Sequence, residues 1–262
     1  LQADIDATEV STGGDEAVTL SGSLSVTQYN DINGITTGTV TATLTAETLT
    51  NLGSLEDEDD ALTITVSDTG SSVSASALTA LDAKTTVEVV ATAATGFSGT
   101  YAQLDVLETA RDNNTIEIGA DEAVAVTGGA ISIDNFNDIN DLTSGVVTAT
   151  IATETLTNLA NLEETGNALT IVVSDTGTTV SAADLVTLDG KTTVAVDASA
   201  AAGFSGALSD LVTLAGAIGS TVTIGGDEAM TLTDTGSVTA ADIITVNGKT
   251  NGLVTADSVA DR

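Results

Sequence analysis

The chain repeats itself, and the period limits what it can fold into. Tyr29-Asn-Asp-Ile-Asn33 returns 107 residues later as Phe136-Asn-Asp-Ile-Asn140. Ala61-Leu-Thr-Ile-Thr-Val-Ser-Asp-Thr-Gly70 returns as Ala168-Leu-Thr-Ile-Val-Val-Ser-Asp-Thr-Gly177, and Gly96-Phe-Ser-Gly99 as Gly203-Phe-Ser-Gly206, both at the same distance of 107. Asp15-Glu-Ala, Asp121-Glu-Ala and Asp227-Glu-Ala recur at 106. Self-similarity at a fixed period is the mark of a repeat architecture, in which each unit is built like its neighbour. The expected organisation is a partial module over residues 1–39, full modules over 40–146 and 147–252, and the start of a further coil over 253–262.

A shorter beat runs inside each module. Alternating Thr and aliphatic residues, as in Thr39-Val-Thr-Ala-Thr-Leu-Thr45, mark strands centred near Val40, Ile64, Val87, Ile116, Val147, Ile171, Val194, Val222 and Val254. Between them lie short helical stretches. Ser181-Ala-Ala-Asp-Leu-Val-Thr-Leu188 opens like a capping box, and Thr239-Ala-Ala-Asp-Ile243 and Ser74-Ala-Ser-Ala-Leu78 resemble it. Comparable segments are Glu47–Leu55, Tyr101–Ala110, Glu154–Leu162 and Leu208–Ile218. Helices of two or three turns are not stable alone, so they must pack on the strands. One strand, one short helix and two turns in each coil predict a β-rich repeat, a parallel β-solenoid with right-handed connections. The competing fold is a tandem of Ig-like β-sandwiches, which fits the module length but not the helical segments.

Composition removes most catalytic chemistry. There is no His, Cys, Pro or Trp among 262 residues, so disulfides, thiolates and imidazole bases are absent. With 5 basic and 38 acidic residues the net charge is −33, which repels nucleic acid and anionic lipid. A hydrophobic fraction of 42% argues against disorder, and an aromatic fraction of 2% calls for a fine-grained aliphatic core. No apolar run is long enough to span a membrane, so membrane insertion is not expected. Leu1 follows no signal-like segment, and the simplest expectation is a mature or excised piece of a longer chain.

The polar residues at fixed phase are the candidate sites. Asp68, Asp175 and Asp234 each lie in a Ser/Thr-Asp-Thr-Gly turn. Such an Asp either accepts backbone N–H bonds within its turn, with Gly at positive φ, or offers oxygen to Ca2+. Asn30, Asp31 and Asn33, and Asn137, Asp138, Asn140 and Asp141, form two oxygen-rich sets read as turns. Together these ten residues are the candidate Ca2+ ligands, although no segment matches the EF-hand pattern or a glycine-rich calcium nonapeptide. The run Glu56–Asp60 reads as a solvated loop that attracts counterions. Lys84, Lys191 and Lys249 recur in the same context and are expected to close helix C-termini. The Gly-Lys-Thr at Lys191 and at Lys249 lacks the upstream glycine of a P-loop. A threonine row that could meet ice breaks at Thr86-Val-Glu88.

The phrases Ala-Leu-Thr-Ile-Val-Val-Ser-Asp-Thr-Gly177 and Val180-Ser-Ala-Ala-Asp-Leu-Val-Thr-Leu-Asp-Gly-Lys-Thr192 resemble the tandem repeats of very large bacterial surface proteins of cyanobacteria and other marine bacteria. The resemblance covers nearly the whole chain. It implies export without a cleaved signal and a place in a cell-surface layer, adhesin stalk or extracellular filament, often with Ca2+. The expected function is therefore a structural repeat of a secreted acidic surface protein. Its partners would be copies of itself or flanking repeat modules, and it would not be an enzyme. An adhesin module for glycan or another cell is the alternative. An acid-only glycosidase is a distant third, because repeats do not supply a unique cleft.

Overall fold

The computed structural model describes residues 14–56, 59–70, 72–163 and 165–256. Among them the fold is α/β, with several parallel sheets and interleaved helices. The chain divides into two compact units. The first holds Leu1–Gly128 and Asp141–Gly145, the second Gly129–Asn140 and Val146–Arg262.

In the first unit, β1 (Val18–Leu24), β2 (Val40–Leu44), β3 (Ala61–Thr65), β5 (Val89–Val90) and β7 (Ile116–Glu117) pair in that order. A second row is β4 (Val73–Ser74), β6 (Gly96–Gly99) and β8 (Ala123–Val126). Every one of these ladders is parallel. The helices are α1 (Val26–Asn33), α2 (Leu49–Leu52), α3 (Ala75–Asp82) and α4 (Tyr101–Asp112), with α3 packed on α4.

The second unit repeats the scheme. β9 (Val147–Thr150) pairs with β10 (Ala168–Thr170), and β12 (Val196–Asp197) with β14 (Val222–Thr223). β11 (Thr179–Ser181), β13 (Gly203–Gly206), β15 (Ala229–Leu232) and β16 (Val254–Thr255) form a third parallel row. Its helices are α5 (Ile133–Asp141, which spans the division between the units), α6 (Leu156–Leu159), α7 (Ala182–Asp189), α8 (Leu208–Ala217) and α9 (Ala240–Asn247).

The alternation sets the strand faces. Val40, Ala42 and Leu44 point inward while Thr41 and Thr43 face out. Leu62 and Leu169, one period apart, are both fully buried in parallel strands. Tyr29, Phe97, Phe136 and Phe204 are also fully buried, so four of the five aromatics are placed in the core. Parallel ladders exclude the Ig-like alternative, whose sheets are antiparallel.

Three expectations need correction. The helical share is larger than short helical turns in a β-rich chain, because α1 and α5 form where oxygen-rich turns were expected. The strands expected near Val87 and Val194 begin at Val89 and Val196. Before each, Thr85 and Thr192 fold their hydroxyls onto the neighbouring backbone, at Leu62 and Leu169. The strands β6 and β13, the two Gly-Phe-Ser-Gly segments, lack the Thr/aliphatic alternation and escaped the sequence reading.

Candidate functional site

The turn aspartates are helix caps acting between segments. Asp68 Oδ2 accepts the N–H of Leu49 at 2.6 Å, Asp175 Oδ2 that of Leu156 at 2.7 Å, and Asp234 Oδ2 that of Leu208 at 2.6 Å. Leu49, Leu156 and Leu208 are the first residues of α2, α6 and α8. Each carboxylate thus satisfies an orphan helix N–H near the positive end of the helix dipole. The donor lies on the preceding helix rather than in the aspartate's own turn. Of the three glycines in these turns, only Gly177 has positive φ, at +72°.

The other candidates lie on helices. Asn30, Asp31 and Asn33 belong to α1, and Asn137, Asp138, Asn140 and Asp141 to α5. Asn30 Nδ2 donates to Ser54 O and Asn137 Nδ2 to Asn161 O, so the same position ties each helix to the loop after the next helix, α2 or α6. Asn140 Oδ1 accepts from Asn167 Nδ2 at 2.9 Å, and Asp141 offers its backbone carbonyl to Arg111. Asp31 and Asp138 complete the two helical sets. Within either unit, among the described residues, no three carboxylates converge as a metal cage would require.

The lysines do close helix ends, but across segments. Lys84 Nζ donates to Leu55 O at 2.7 Å, Lys249 Nζ to Ile218 O at 3.1 Å, and Lys191 Nζ to Leu162 O. Each acceptor lies at or just beyond the C-terminus of the preceding helix, α2, α8 or α6. A cation there meets the negative end of the dipole.

Two further ties were missed by sequence reasoning. Thr36, Thr143 and Thr250 give their hydroxyls to the backbone carbonyls of Glu16, Glu122 and Glu228, at 2.5, 2.6 and 2.6 Å. Two residues on, Gly38, Gly145 and Gly252 donate N–H back to the same hydroxyls. A Cβ at Gly38 or Gly145 would lie 2.5 Å from the carbonyl oxygen of Glu16 or Glu122. The Asp-Glu-Ala and Thr-x-Gly motifs recur together because they touch.

The second tie is a matched substitution. Asp60, expected in a solvated run, is buried; its Oδ2 accepts Tyr29 Oη–H at 2.5 Å and its Oδ1 the N–H of Val40 at 2.7 Å. One period later Tyr29 becomes Phe136 and Asp60 becomes Asn167. Asn167 keeps the bond to Val147 N–H at 2.8 Å and turns its amide to Asn140. Where the hydroxyl donor is lost, the buried charge is lost with it. The signal was in the sequence, as two substitutions sharing the 107-residue offset.

Among the described residues a polar groove recurs on the surface. Ser25, Val26, Thr27, Glu47, Asn51 and Ser54 line it in one copy, at 200 Å3. Ser132, Ile133, Asp134, Glu154, Asn158 and Asn161 line it in the other, at 280 Å3. Glu47 and Glu154 accept from Asn51 and Asn158 at 3.0 and 2.9 Å. Among the described residues no helix is long and apolar enough to cross a membrane. Comparison of the chain with protein-family models, curated proteins and solved structures yields no match.

Proposed function

We propose that the chain is a structural repeat segment of an extracellular, acidic cell-surface protein, in a layer, stalk or filament. In this reading its strand–turn–helix segments stack as a parallel β-solenoid. The observation that carries it is the use made of the recurrent polar residues. Asp68, Asp175, Asp234, the three lysines and the three Thr-x-Gly motifs all tie one segment to the next. Chemistry that recurs in every module and is consumed by stacking serves assembly rather than turnover. Flanking repeats or copies of the chain are the natural partners, and the charge of −33 keeps nucleic acid away.

Calcium enters this proposal as a counterion to stacked carboxylates. Divalent ions bridge neighbouring oxygens that monovalent salt screens only beyond about 8–10 Å. Antibody raised against the folded chain should label intact, unpermeabilised cells of the source. Labelling only after permeabilisation would contradict the surface assignment. The adhesin alternative draws on the repeated polar groove, whose carboxylate, amide and hydroxyl groups suit a sugar hydroxyl network. Saturable glycan binding lost on Glu154→Ala would favour it.

A further inference from the structure

The recurrent aspartates, lysines and threonines described above close the gap between one segment and another. The groove that recurs at Glu47 and Glu154 does not follow that rule. Its two walls come from successive segments, residues 25–27 and 47–54 in one copy and 132–134 and 154–161 in the other. The hydrogen bonds of its polar side chains stay inside their own segment. Glu47 Oε2 accepts Asn51 Nδ2, and Glu154 Oε2 accepts Asn158 Nδ2. Ser54 donates to Asn51 O, and Asn161 Nδ2 to Asn158 O. Ser25 and Ser132 accept the N–H groups of Gln28 and Asn135. None of these bonds crosses from one wall to the other. The same residue types thus return at the same places, face a gap and leave it unbridged.

What these side chains leave unused is oxygen. The amide nitrogens of Asn51, Asn158 and Asn161 are committed, so each amide keeps its Oδ1 as a spare acceptor. Oε1 of Glu47 and of Glu154 is spare in the same way. No lysine or arginine lines either groove. The second groove is richer in oxygen, with Asp134 in the place of Thr27 and Asn161 in the place of Ser54. The helices α1 and α5 begin at the groove, and a helix N-terminus contributes about half a positive charge. One carboxylate outweighs that in the first groove, and two outweigh it further in the second. An anion is repelled, and a ligand that donates hydrogen bonds and carries positive charge is favoured. Volumes of 200 and 280 Å3 exceed what a bare ion fills and suit a small organic molecule.

We propose that both grooves bind a small organic ligand carrying a primary ammonium group, an amino sugar or a polyamine, and that the second groove binds it more tightly. An ammonium has three donors and no acceptor, which matches a lining of spare oxygens. The carboxylate of Glu47 or Glu154 takes one N–H in a charge-assisted bond, and the amide oxygens take the others. Asn51 and Asn158 are positioning residues, each holding the carboxylate by its other oxygen. The proposal goes beyond the structural reading and does not rest on it. It narrows the adhesin alternative to a cationic ligand.

The test titrates the isotope-labelled full chain with glucosamine and, separately, with putrescine, at neutral pH and fixed ionic strength. Backbone amide shifts are followed residue by residue. Saturable shifts are expected around Glu47 and Asn51 and around Glu154 and Asn158, with the second set saturating first. Tighter glucosamine binding assigns the grooves to amino sugars, and tighter putrescine binding to polyamines. Glu154→Gln, which keeps the size and removes the charge, should weaken the second groove by about tenfold. Asp134→Thr, at an exposed side chain, should move its affinity toward that of the first groove. Glu117→Gln, which removes the same charge from the exposed side of β7, should leave both grooves unchanged. The first groove reports correct folding in every variant. Shifts spread evenly over the acidic surface, or binding indifferent to Glu154→Gln, would mean general counterion attraction and overturn the proposal. Equal binding of glucose overturns it and leaves the grooves to neutral sugars. Ca2+ that shifts these amides where neither amine does overturns it and gives the oxygens to a metal.

Discussion

Gly145 has no room for a methyl group, because the backbone carbonyls of Asp121 and Glu122 stand 2.5 Å from where a Cβ would sit. Gly145→Ala should cost about 1–3 kcal/mol, as forced overpacking does. Gly216, inside α8 with nothing within 4 Å of a built Cβ, is the control: Gly216→Ala should stabilise by about 0.5–1 kcal/mol. Denaturant melts of both variants check the contrast. The Tyr29–Asp60 pair gives a sharper residue-level test. Tyr29→Phe removes a donor from a buried carboxylate and should cost about 1–3 kcal/mol. Adding Asp60→Asn should recover part of that loss, since Phe136–Asn167 is the same exchange already made. A double-mutant cycle reads the coupling, and simple additivity would contradict it. Asp82 titrates in the opposite sense from an ion-paired acid. Desolvation by burial raises its pKa, partly offset by the hydrogen bond from Thr115. A raised folded-state pKa means that the stability contribution is fully present below the unfolded value and is lost as pH rises through the folded one. Asp82→Asn should therefore raise the melting temperature at neutral pH, and the difference should close as pH falls below the ordinary carboxylate range.

At the scale of elements, the ties between segments have separable consequences. Lys191→Met removes a charged donor from Leu162 O and should destabilise by about 1 kcal/mol. Hydrogen exchange should quicken first at the end of α6. Exchange that quickens equally everywhere would mean that the lysine has no local role. These elements differ in how legible they were. β2, β3 and β9 follow from Thr/aliphatic alternation, and α3, α7 and α9 from their Ser or Thr caps. α1 and α5 were hidden because Asn and Asp compete locally for backbone hydrogen bonds and read as turns. Their buried Tyr29, Phe136 and Ile139 hold them helical through tertiary packing. Gly96–Gly99 was hidden for a related reason: two glycines and a serine carry little strand propensity, and only the fully buried Phe97 makes the segment a strand. Asp68, Asp175 and Asp234 were legible as turn residues that accept backbone N–H bonds. The helix each one caps was not, because the partners lie 19, 19 and 26 residues away.

For the whole molecule, a charge of −33 makes cations the main external lever on stability. Millimolar Ca2+ should raise the melting temperature over excess chelator at matched ionic strength, because a ligand that binds only the folded state stabilises it by mass action. An unchanged midpoint would leave the acids as a solvated coat. The central claim is that each segment is held by its immediate neighbours. Residue-resolved native-state hydrogen exchange, comparing the parent chain with Leu62→Ala, tests it most directly. Truncating a fully buried leucine should cost about 2–5 kcal/mol. In a nearest-neighbour stack the loss of protection is greatest in β2, β3 and β5 and fades along the sequence, leaving β13 and β15 as protected as before. An equal loss at every slowly exchanging amide, from β2 to β15, would show one indivisible cooperative unit and contradict the account.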